Sequence, residues 1–372
     1  LELLEALGVQ IHRDDHTLTL HAASIQQTEL DADLCARVRT SILMAGPLTA
    51  RHGSATIHPP GGDVIGRRRL DTHFHGLTAL GIDIEINHTY HFSSTRLTGT
   101  EIVLDEASVT ATENILMAAT LAEGETIIYN AACEPHVQDL ANLLNAMGAS
   151  VSGIGTNRIH VQGVPSLHGT THRVQPDFIE IGSFIAAAVA TGGALTIPHA
   201  GDPLVLNIMQ RTYARLGVQW RVDDAGTLHL PQQIDRTIQG DIGNDTPKIE
   251  DGIWPAFPSD LMSVAIVLAT QTKGTTLFFE KMFESRMYFV DHLMSMGANI
   301  IPCDPHRVVV VGPTQLRGSI LTSPDIRAGM AMLIAACCAT GESLIKNASV
   351  IDRGYEAIED RLTQLGANMV RE

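Results

Sequence analysis

Hydrophobic and polar residues follow a pattern that repeats along the chain. Six segments have the spacing of an amphipathic helix, end in Leu-Gly or Met-Gly, and continue into alternating strands such as Arg158-Ile159-His160-Val161. Glycine is typical of a helix C-terminus because it adopts the left-handed conformation without a Cβ penalty. These glycines lie 67 to 80 residues apart, at Gly8, Gly81, Gly148, Gly217, Gly297 and Gly366. The spacing predicts six copies of one helix, strand, turn and strand element.

A second pattern precedes the last five copies. It consists of an alanine-rich apolar helix, a glycine and a short strand, and the strands read HGSATI, EGETII, GGALTI, KGTTLF and TGESLI. The most apolar stretch, Ile181 to Leu195, predicts a buried helix. The complete unit is therefore predicted to be a buried helix, a strand, a loop, an amphipathic helix and a hairpin.

Six units that recur every 67 to 80 residues favour two domains of three repeats. We expect an α/β fold with two inside-out domains, in which the buried helices lie inside and the sheets outside. The polar, proline-bearing connector from His172 to Pro176 predicts a boundary between domains 1–174 and 175–372. The first copy has only its second helix and hairpin, so we expect its first half-repeat to be missing through N-terminal truncation. The alternative is a two-domain α/β protein whose Leu-Gly endings coincide by chance.

Composition and charge narrow the functional classes. The chain has 372 residues, a formal net charge of −16 and five scattered cysteines. The negative charge argues against binding to nucleic acid or to an anionic membrane, and no apolar run reaches the roughly 18 residues that span a bilayer. The cysteines have no metal-binding spacing, and no Walker loop, Rossmann fingerprint or zinc motif is present. We expect a cytoplasmic protein without a metal or cofactor.

The loop PPGGDVIGRRRLD is the least ordinary segment of the sequence. Its glycines permit an unusual backbone path, and Arg67, Arg68 and Arg69 follow them directly. Arginines beside flexible glycines suit a phosphate or carboxylate held by bidentate hydrogen bonds. The alternative interpretation is an exposed basic turn.

Other charged residues lie where helices are predicted to begin. Asp260 in PAFPSDL and Asp325 in SPDIRAG could each cap a helix or take part in chemistry. Arg353 precedes a predicted helix, and an arginine there favours an anion held with the helix terminus. The pair His73 and His75 favours packing rather than a metal site, and the residues around Ser108 could simply cap the next helix.

Several longer motifs resemble one family. They are PGGDVIGRRRLD, ATENILMAATLAEGETII, EPHVQDLANLLNAMGASVSGIGTNRI, PAFPSDL and IDRGYEAIEDRLTQLGAN. They are similar to the UDP-N-acetylglucosamine 1-carboxyvinyltransferase family, in the superfamily of 5-enolpyruvylshikimate-3-phosphate (EPSP) synthase, and the resemblance covers essentially the whole chain. It implies two inside-out domains of three repeats, which agrees with the repeat count.

The resemblance implies an enzyme that moves the enolpyruvyl group of phosphoenolpyruvate onto the 3′-hydroxyl of UDP-N-acetylglucosamine and releases phosphate. It implies two catalytic carboxylates, Asp63 on a mobile loop of the first domain and Asp260 as general base. The residues implied to bind phosphoenolpyruvate are Arg39, Arg68, Arg327 and Arg353. Those implied to bind the nucleotide sugar are Asp71, Ser108, Val109, Ser259 and Asp260. Arg286 and Asp325 are implied to stabilise the closed state.

The sequence departs from the family pattern at three positions. Asp63 stands where most members have cysteine, which implies resistance to fosfomycin, and Arg69 and Thr110 replace a usual proline and glycine near the nucleotide sugar. We expect the family's Lys-Asn pair to belong to the missing N-terminal segment. Two alternatives remain open: an enolpyruvyl transferase with another acceptor alcohol, and a non-catalytic paralogue that binds a nucleotide sugar.

Overall fold

A computed structural model describes residues 1–232 and 235–372. The chain divides into two compact units, one formed by Leu1–Gly62 and Arg68–Val174 and the other by Asp63–Arg67 and Gln175–Glu372. The short segment Asp63–Arg67 thus belongs to the second unit, although it lies inside the span predicted for the first domain. No helix in the described ranges is both long and apolar enough to cross a membrane.

The first unit contains six α-helices and nine strands among its described elements. The helices are α1 (Glu2–Ala6), α2 (Ala32–Arg37), α3 (Ala45–His52), α4 (Asp71–Ala79), α5 (Val109–Ala119) and α6 (Pro135–Ala146). The strands are β1 (Gln10–Asp14), β2 (Thr17–His21), β3 (Ser54–Ile57), β4 (Asp83–Ile86), β5 (Tyr90–Ser93), β6 (Glu101–Val103), β7 (Glu125–Tyr129), β8 (Ser150–Ser152) and β9 (Arg158–Gln162). A 3₁₀ helix covers Arg39–Met44.

The second unit also contains six α-helices and nine strands among its described elements. Its helices are α7 (Phe178–Thr191), α8 (Pro203–Tyr213), α9 (Met262–Thr270), α10 (Val290–Ser295), α11 (Ile326–Cys338) and α12 (Ile358–Gln364). Its strands are β10 (Leu195–Ile197), β11 (Arg221–Val222), β12 (Leu228–Leu230), β13 (Lys248–Glu250), β14 (Gly274–Phe279), β15 (Asn299–Asp304), β16 (Arg307–Gly312), β17 (Ile320–Thr322) and β18 (Leu344–Lys346). Further 3₁₀ helices cover Ala214–Leu216, Ser259–Leu261 and Ala348–Arg353.

Sheet topology shows the repeat directly. Each unit has one four-stranded sheet of the same topology, ordered β6-β7-β9-β8 in the first unit and β13-β14-β16-β15 in the second. In both, the first pair is parallel and the others are antiparallel. The three-stranded sheets β3-β5-β4 and β10-β12-β11 also correspond. The first copy contributes the hairpin β1-β2, and the sixth contributes the parallel pair β17-β18.

The buried helices form the centres of the units. All nine residues of α9 are buried, and α9 packs against both α7 and α11. In the first unit α5 has the same place, packed against α3 and α4. All six glycines that end the amphipathic helices have a left-handed backbone, with φ between 75° and 104°. The predicted α/β architecture, with buried helices inside each unit, is therefore confirmed. It could be predicted because the sequence periodicity reports which helices are buried and where the amphipathic helices end.

Candidate active site

The carboxylate of Asp260 lies between two guanidinium groups of the second unit. Its Oδ1 accepts a hydrogen bond from Arg286 Nη2 at 2.7 Å. Its Oδ2 accepts hydrogen bonds from Arg327 Nε at 3.1 Å and Nη2 at 2.9 Å. The side chain caps neither the turn in which it lies nor helix α9. The local sequence allowed a cap, but the structure commits this carboxylate to the two arginines.

Charge on Asp260 is strongly stabilised by its surroundings. Burial alone would raise the pKa of this carboxyl, but Arg327 and then Arg286 outweigh burial and hold the pKa below its ordinary value. Burial lowers the pKa of Arg327, but the charge of Asp260 raises it by more, so the net effect is a raised pKa. The pair is therefore ionised at neutral pH. The side chain of Arg286 is only 6% exposed, and that of Asp260 is 36% exposed. Asp260 is therefore an accessible anion beside a buried cation.

Arg327 is held in place by a chain of aromatic and hydroxyl groups. Its Nη1 donates to Tyr355 Oη at 3.3 Å, and its guanidinium lies 5.6 Å from the centre of the Tyr355 ring. Tyr355 Oη is 2.8 Å from Ser183 Oγ. Because Ser183 donates its own proton to the carbonyl of Ile179, Tyr355 is the donor in that contact. The orientation of Arg327 is thus fixed from helix α7.

Asp325 is a helix cap in this structure. Its Oδ1 accepts hydrogen bonds from the backbone N–H groups of Arg327 and Ala328, each at 2.9 Å. It is 5% exposed, and burial raises its pKa despite these bonds. The cap sets the first turn of α11, where Arg327 lies. The role in closure implied for Asp325 stays a prediction.

A buried polar cluster lies next to Asp260, and no sequence motif marks it. Ser259 Oγ donates to both carboxyl oxygens of Glu280, at 2.9 and 3.1 Å. Glu280 and Asp251 are both fully buried. Burial, the hydrogen bond with Asp251 and the charge of Asp251 raise the pKa of Glu280 to about 9. No short motif could reveal this pair, because the two acids are 29 residues apart in the chain.

The segment Asp63–Arg67 has specific partners in the second unit. Asp63 Oδ1 accepts a hydrogen bond from Arg353 Nη1 at 2.8 Å. The backbone of Ile65 accepts from Ser285 N at 3.1 Å, and Arg67 N donates to Glu284 Oε2 at 3.3 Å. Arg353 ends a 3₁₀ helix rather than directly preceding α12. The expected position directly before a helix is therefore wrong, and the structure pairs Arg353 with the carboxylate of Asp63; its role in anion binding stays a prediction.

Two arginines of the first unit pack around the glycine-rich loop. Arg39 Nη2 donates to the carbonyl groups of Arg68 and Arg69, at 2.8 and 3.1 Å. Gly62 has φ 112°, and a Cβ on it would lie 3.0 Å from Arg39 and 3.1 Å from Arg68 Nη1. Burial and the charge of Arg68 lower the pKa of Arg39. Neighbouring guanidinium groups repel each other, so an anion bound beside them would be stabilised.

Three residues predicted to contact the nucleotide sugar lie at helix starts in the first unit: Asp71 begins α4, and Ser108 and Val109 begin α5. Arg69 Nε pairs with Asp71 Oδ2 at 2.9 Å, and Arg69 Nη2 lies 3.5 Å from Asp105 Oδ2. Ser108 caps α5 by accepting from Ala111 N at 3.4 Å, and Val109 is the first residue of that helix. Capping is therefore confirmed for Ser108, whereas contact with a nucleotide sugar stays a prediction for Asp71, Ser108 and Val109.

A buried network ties α5 to its neighbours. Asn114 accepts from Gly46 N at 2.7 Å and donates to the carbonyl of Ile42 at 2.9 Å. It also lies 3.1 Å from His73 Nδ1, and His73 Nε2 is 3.1 Å from Thr110 Oγ1. Burial, and then Arg39, lower the pKa of His73 to about 3. His73 is thus a neutral core residue, as the sequence indicated, and no metal-binding cluster occurs among the described residues.

Comparisons with known proteins agree with this arrangement. The family model for EPSP synthase (3-phosphoshikimate 1-carboxyvinyltransferase) matches residues 1–362. The chain is 50% identical over 370 residues to a UDP-N-acetylglucosamine 1-carboxyvinyltransferase of Treponema denticola, a match that covers 99% of this chain and 86% of the relative. An enzyme of the same name from Bradyrhizobium diazoefficiens is 52% identical over 372 residues, which cover 100% of this chain and 86% of the relative.

Solved structures share the fold at lower identity. The enolpyruvyl transferase NikO from Streptomyces tendae superposes with a TM-score of 0.84 at 24% identity, covering 99% of this chain and 86% of that chain. EPSP synthase from Acinetobacter baumannii superposes with a TM-score of 0.71 at 20% identity, with the same coverage. These likenesses establish the architecture.

Proposed function

Since the chain belongs to the EPSP synthase family, we propose that it transfers the enolpyruvyl group of phosphoenolpyruvate to the 3′-hydroxyl of UDP-N-acetylglucosamine. Phosphate is released, and the reaction is the first committed step of peptidoglycan precursor synthesis. One observation carries the assignment. Relatives 50–52% identical over 99–100% of this chain are named for this reaction.

Asp260 has the chemistry required of the general base. It is ionised, accessible and oriented by Arg286 and Arg327. Both of its oxygens accept from guanidinium groups, which weakens it as a base. Phosphoenolpyruvate carries a phosphate and a carboxylate, and either group competes with Asp260 for Arg327. When Arg327 turns to the substrate, the basicity of Asp260 rises as the acceptor hydroxyl arrives.

The remaining substrate contacts follow from charge and from the resemblance. Four arginines, Arg39, Arg68, Arg327 and Arg353, neutralise the anionic groups of phosphoenolpyruvate. Asp71, Ser108, Val109 and Ser259 bind the nucleotide sugar, and Arg286 supports the closed state. These roles rest on residue-by-residue resemblance and on the local geometry described above.

Asp63 is assigned to proton transfer in place of the usual cysteine. Its carboxylate pairs with Arg353 in this structure, so proton donation requires that pair to open. A carboxylate is a much weaker nucleophile toward an epoxide than a thiolate is. Resistance to fosfomycin follows from that difference.

The second candidate is transfer to a different acceptor alcohol. It is favoured by Arg69, which pairs with Asp71 in the region assigned to the nucleotide sugar. A third possibility is a binding protein that retains the nucleotide-sugar site without turnover.

A phosphate-release assay distinguishes the three candidate functions. The purified protein is incubated with phosphoenolpyruvate and either UDP-N-acetylglucosamine or 3-phosphoshikimate, and inorganic phosphate is measured. We expect release only with the nucleotide sugar. Release with 3-phosphoshikimate alone would support the second candidate, and calorimetric binding of the nucleotide sugar without any release would support the third.

A further inference from the structure

Glu280 and Asp251 form a buried acid pair directly behind the candidate base. Both side chains are fully buried. Asp251 accepts from Lys281 N at 2.5 Å and from Met282 N at 3.3 Å. Two adjacent buried carboxylates repel each other strongly, so one proton shared between them is the stable arrangement.

The hydrogen bonds indicate which oxygen carries that proton. Glu280 Oε1 accepts from Met282 N and Phe283 N, each at 3.2 Å, and from Ser259 Oγ at 2.9 Å. An oxygen that accepts three donors cannot also carry a proton. The other oxygen, Oε2, accepts from Ser259 Oγ at 3.1 Å and is free to carry the proton. Met282 N contacts both Glu280 Oε1 and Asp251 Oδ2, at 3.2 and 3.3 Å, so the two carboxyl groups lie close enough to share it.

The pair connects the two segments that carry the site. Ser259 directly precedes Asp260, and Phe283 lies on the loop that leads to Arg286, whose guanidinium is 5.1 Å from the Phe283 ring. The hydrogen bond between Arg286 and Asp260, 2.7 Å long, joins these two segments directly. Movement of the Glu280 carboxyl would therefore displace both partners of that bond.

We propose that Glu280 is a positioning residue that keeps its proton in the native protein and shares it with Asp251, and that this pair sets the geometry of Asp260 and Arg286. The importance of that geometry for turnover rests on the proposed function, whereas the shared proton does not. Four charged or titratable groups face Glu280. Asp251 and Arg286 adjoin its carboxyl, His306 Nδ1 lies 2.8 Å from its backbone carbonyl, and Lys281 follows it in the chain and pairs with Glu250.

The direct test is infrared spectroscopy of the intact protein at neutral pH. A protonated carboxyl gives a carbonyl stretching band that a carboxylate lacks. We expect this band in the wild-type spectrum and a loss of intensity in Glu280→Gln, which keeps the shape, one donor and one acceptor. The signal that remains comes from Glu113, because burial raises the pKa of that carboxyl to about 7. Glu342→Gln, an exposed control with the same change of charge, should retain the band. No difference between wild type and Glu280→Gln would overturn the shared proton.

Activity then tests the positioning role. We expect Glu280→Gln to release phosphate within about threefold of wild type at neutral pH, and Glu280→Ala to lose at least about tenfold, because the alanine leaves Ser259 Oγ and Phe283 N without their acceptor. Wild-type turnover should fall at alkaline pH as Glu280 ionises, and Glu280→Gln should lack that decline. An alkaline decline shared by both proteins would overturn the positioning role while leaving the infrared result intact. Loss of phosphate release from wild type and Glu342→Gln alike would instead count against the proposed function.

Discussion

Replacing Asp260 with asparagine separates its chemical role from its structural role. The amide has nearly the same shape and its oxygen still accepts a hydrogen bond, but it cannot take a proton from a hydroxyl at neutral pH. Loss of a general base lowers turnover by about 10²- to 10⁴-fold. We expect a decrease in kcat of that size, with nucleotide-sugar affinity largely unchanged.

The same substitution should lower the free energy of unfolding only modestly. Each guanidinium at about 4 Å attracts a carboxylate by about 4 kcal/mol at an effective dielectric constant near 20. The Asp260 side chain is 36% exposed, so solvent screens much of this attraction, and we expect a net loss of about 1–3 kcal/mol. A protein with a typical unfolding free energy of about 5–15 kcal/mol stays folded after such a loss. Unfolding therefore cannot account for a hundredfold decrease in turnover.

The pH dependence gives an internal check on the stability estimate. Because the pKa of Asp260 is held below its ordinary value, its contribution to stability is present above the unfolded-state pKa and is lost as pH falls through the folded-state pKa. The stability difference between wild type and Asp260→Asn should therefore shrink in acid. Chemical denaturation of both proteins at several pH values measures this difference in unfolding free energy.

Phosphate release and calorimetric titration with UDP-N-acetylglucosamine complete the assay. Asp304→Asn is the matched control, because Asp304 pairs with Arg307 at 2.6 Å on a hairpin without an assigned role in the reaction. The control should keep wild-type turnover. Turnover of Asp260→Asn within a few-fold of wild type would refute the assignment of Asp260 as the base.

Three further predictions follow from the described contacts. Fosfomycin should leave the wild type unmodified and alkylate Asp63→Cys at its new thiol; mass spectrometry detects the adduct, and an active but unlabelled variant would contradict the placement of this loop. Asn114→Ala should lower the unfolding free energy by about 2–4 kcal/mol in denaturant titrations, because Gly46 N and the Ile42 carbonyl lose their buried partner; a loss below about 1 kcal/mol would contradict that role. The pKa of His73 is lowered, so its contribution to stability is present above its unfolded-state value and is lost as pH falls toward about 3; His73→Gln should show a shallower loss in acid, and parallel curves would refute this.

The repeat could be predicted from sequence because its signals are local. A left-handed glycine ends each amphipathic helix within a few residues of the apolar pattern, and the strands alternate with period two. Fold class and burial of the inner helices followed from these features. Capping by Ser108 is equally local, since its partner Ala111 lies three residues away in the chain, and the sequence alone therefore indicated it.

The site was harder to predict because its contacts are distant in sequence. Asp260 and Asp325 begin similar segments, yet Asp325 caps its helix and Asp260 binds Arg327, 67 residues away. Asn114 looks like an ordinary polar residue in an alanine-rich helix, but its partner Gly46 lies 68 residues away. Long-range pairing of this kind leaves no periodic signal in one sequence.

The buried helices themselves explain why the charged groups gather where they do. Helix α9 has no exposed face, so the segment can carry charge only beyond its ends. Asp260 precedes α9, and its bond to Arg327 in the first turn of α11 brings the N-terminal ends of these two helices together. Those ends carry partial positive charge, to which Arg286 and Arg327 add. Such a concentration of positive charge suits a substrate with two anionic groups, and it also requires resident carboxylates when no substrate is bound. Asp260 and Asp325 meet that requirement, and this places the candidate base next to the arginines proposed to bind the anion.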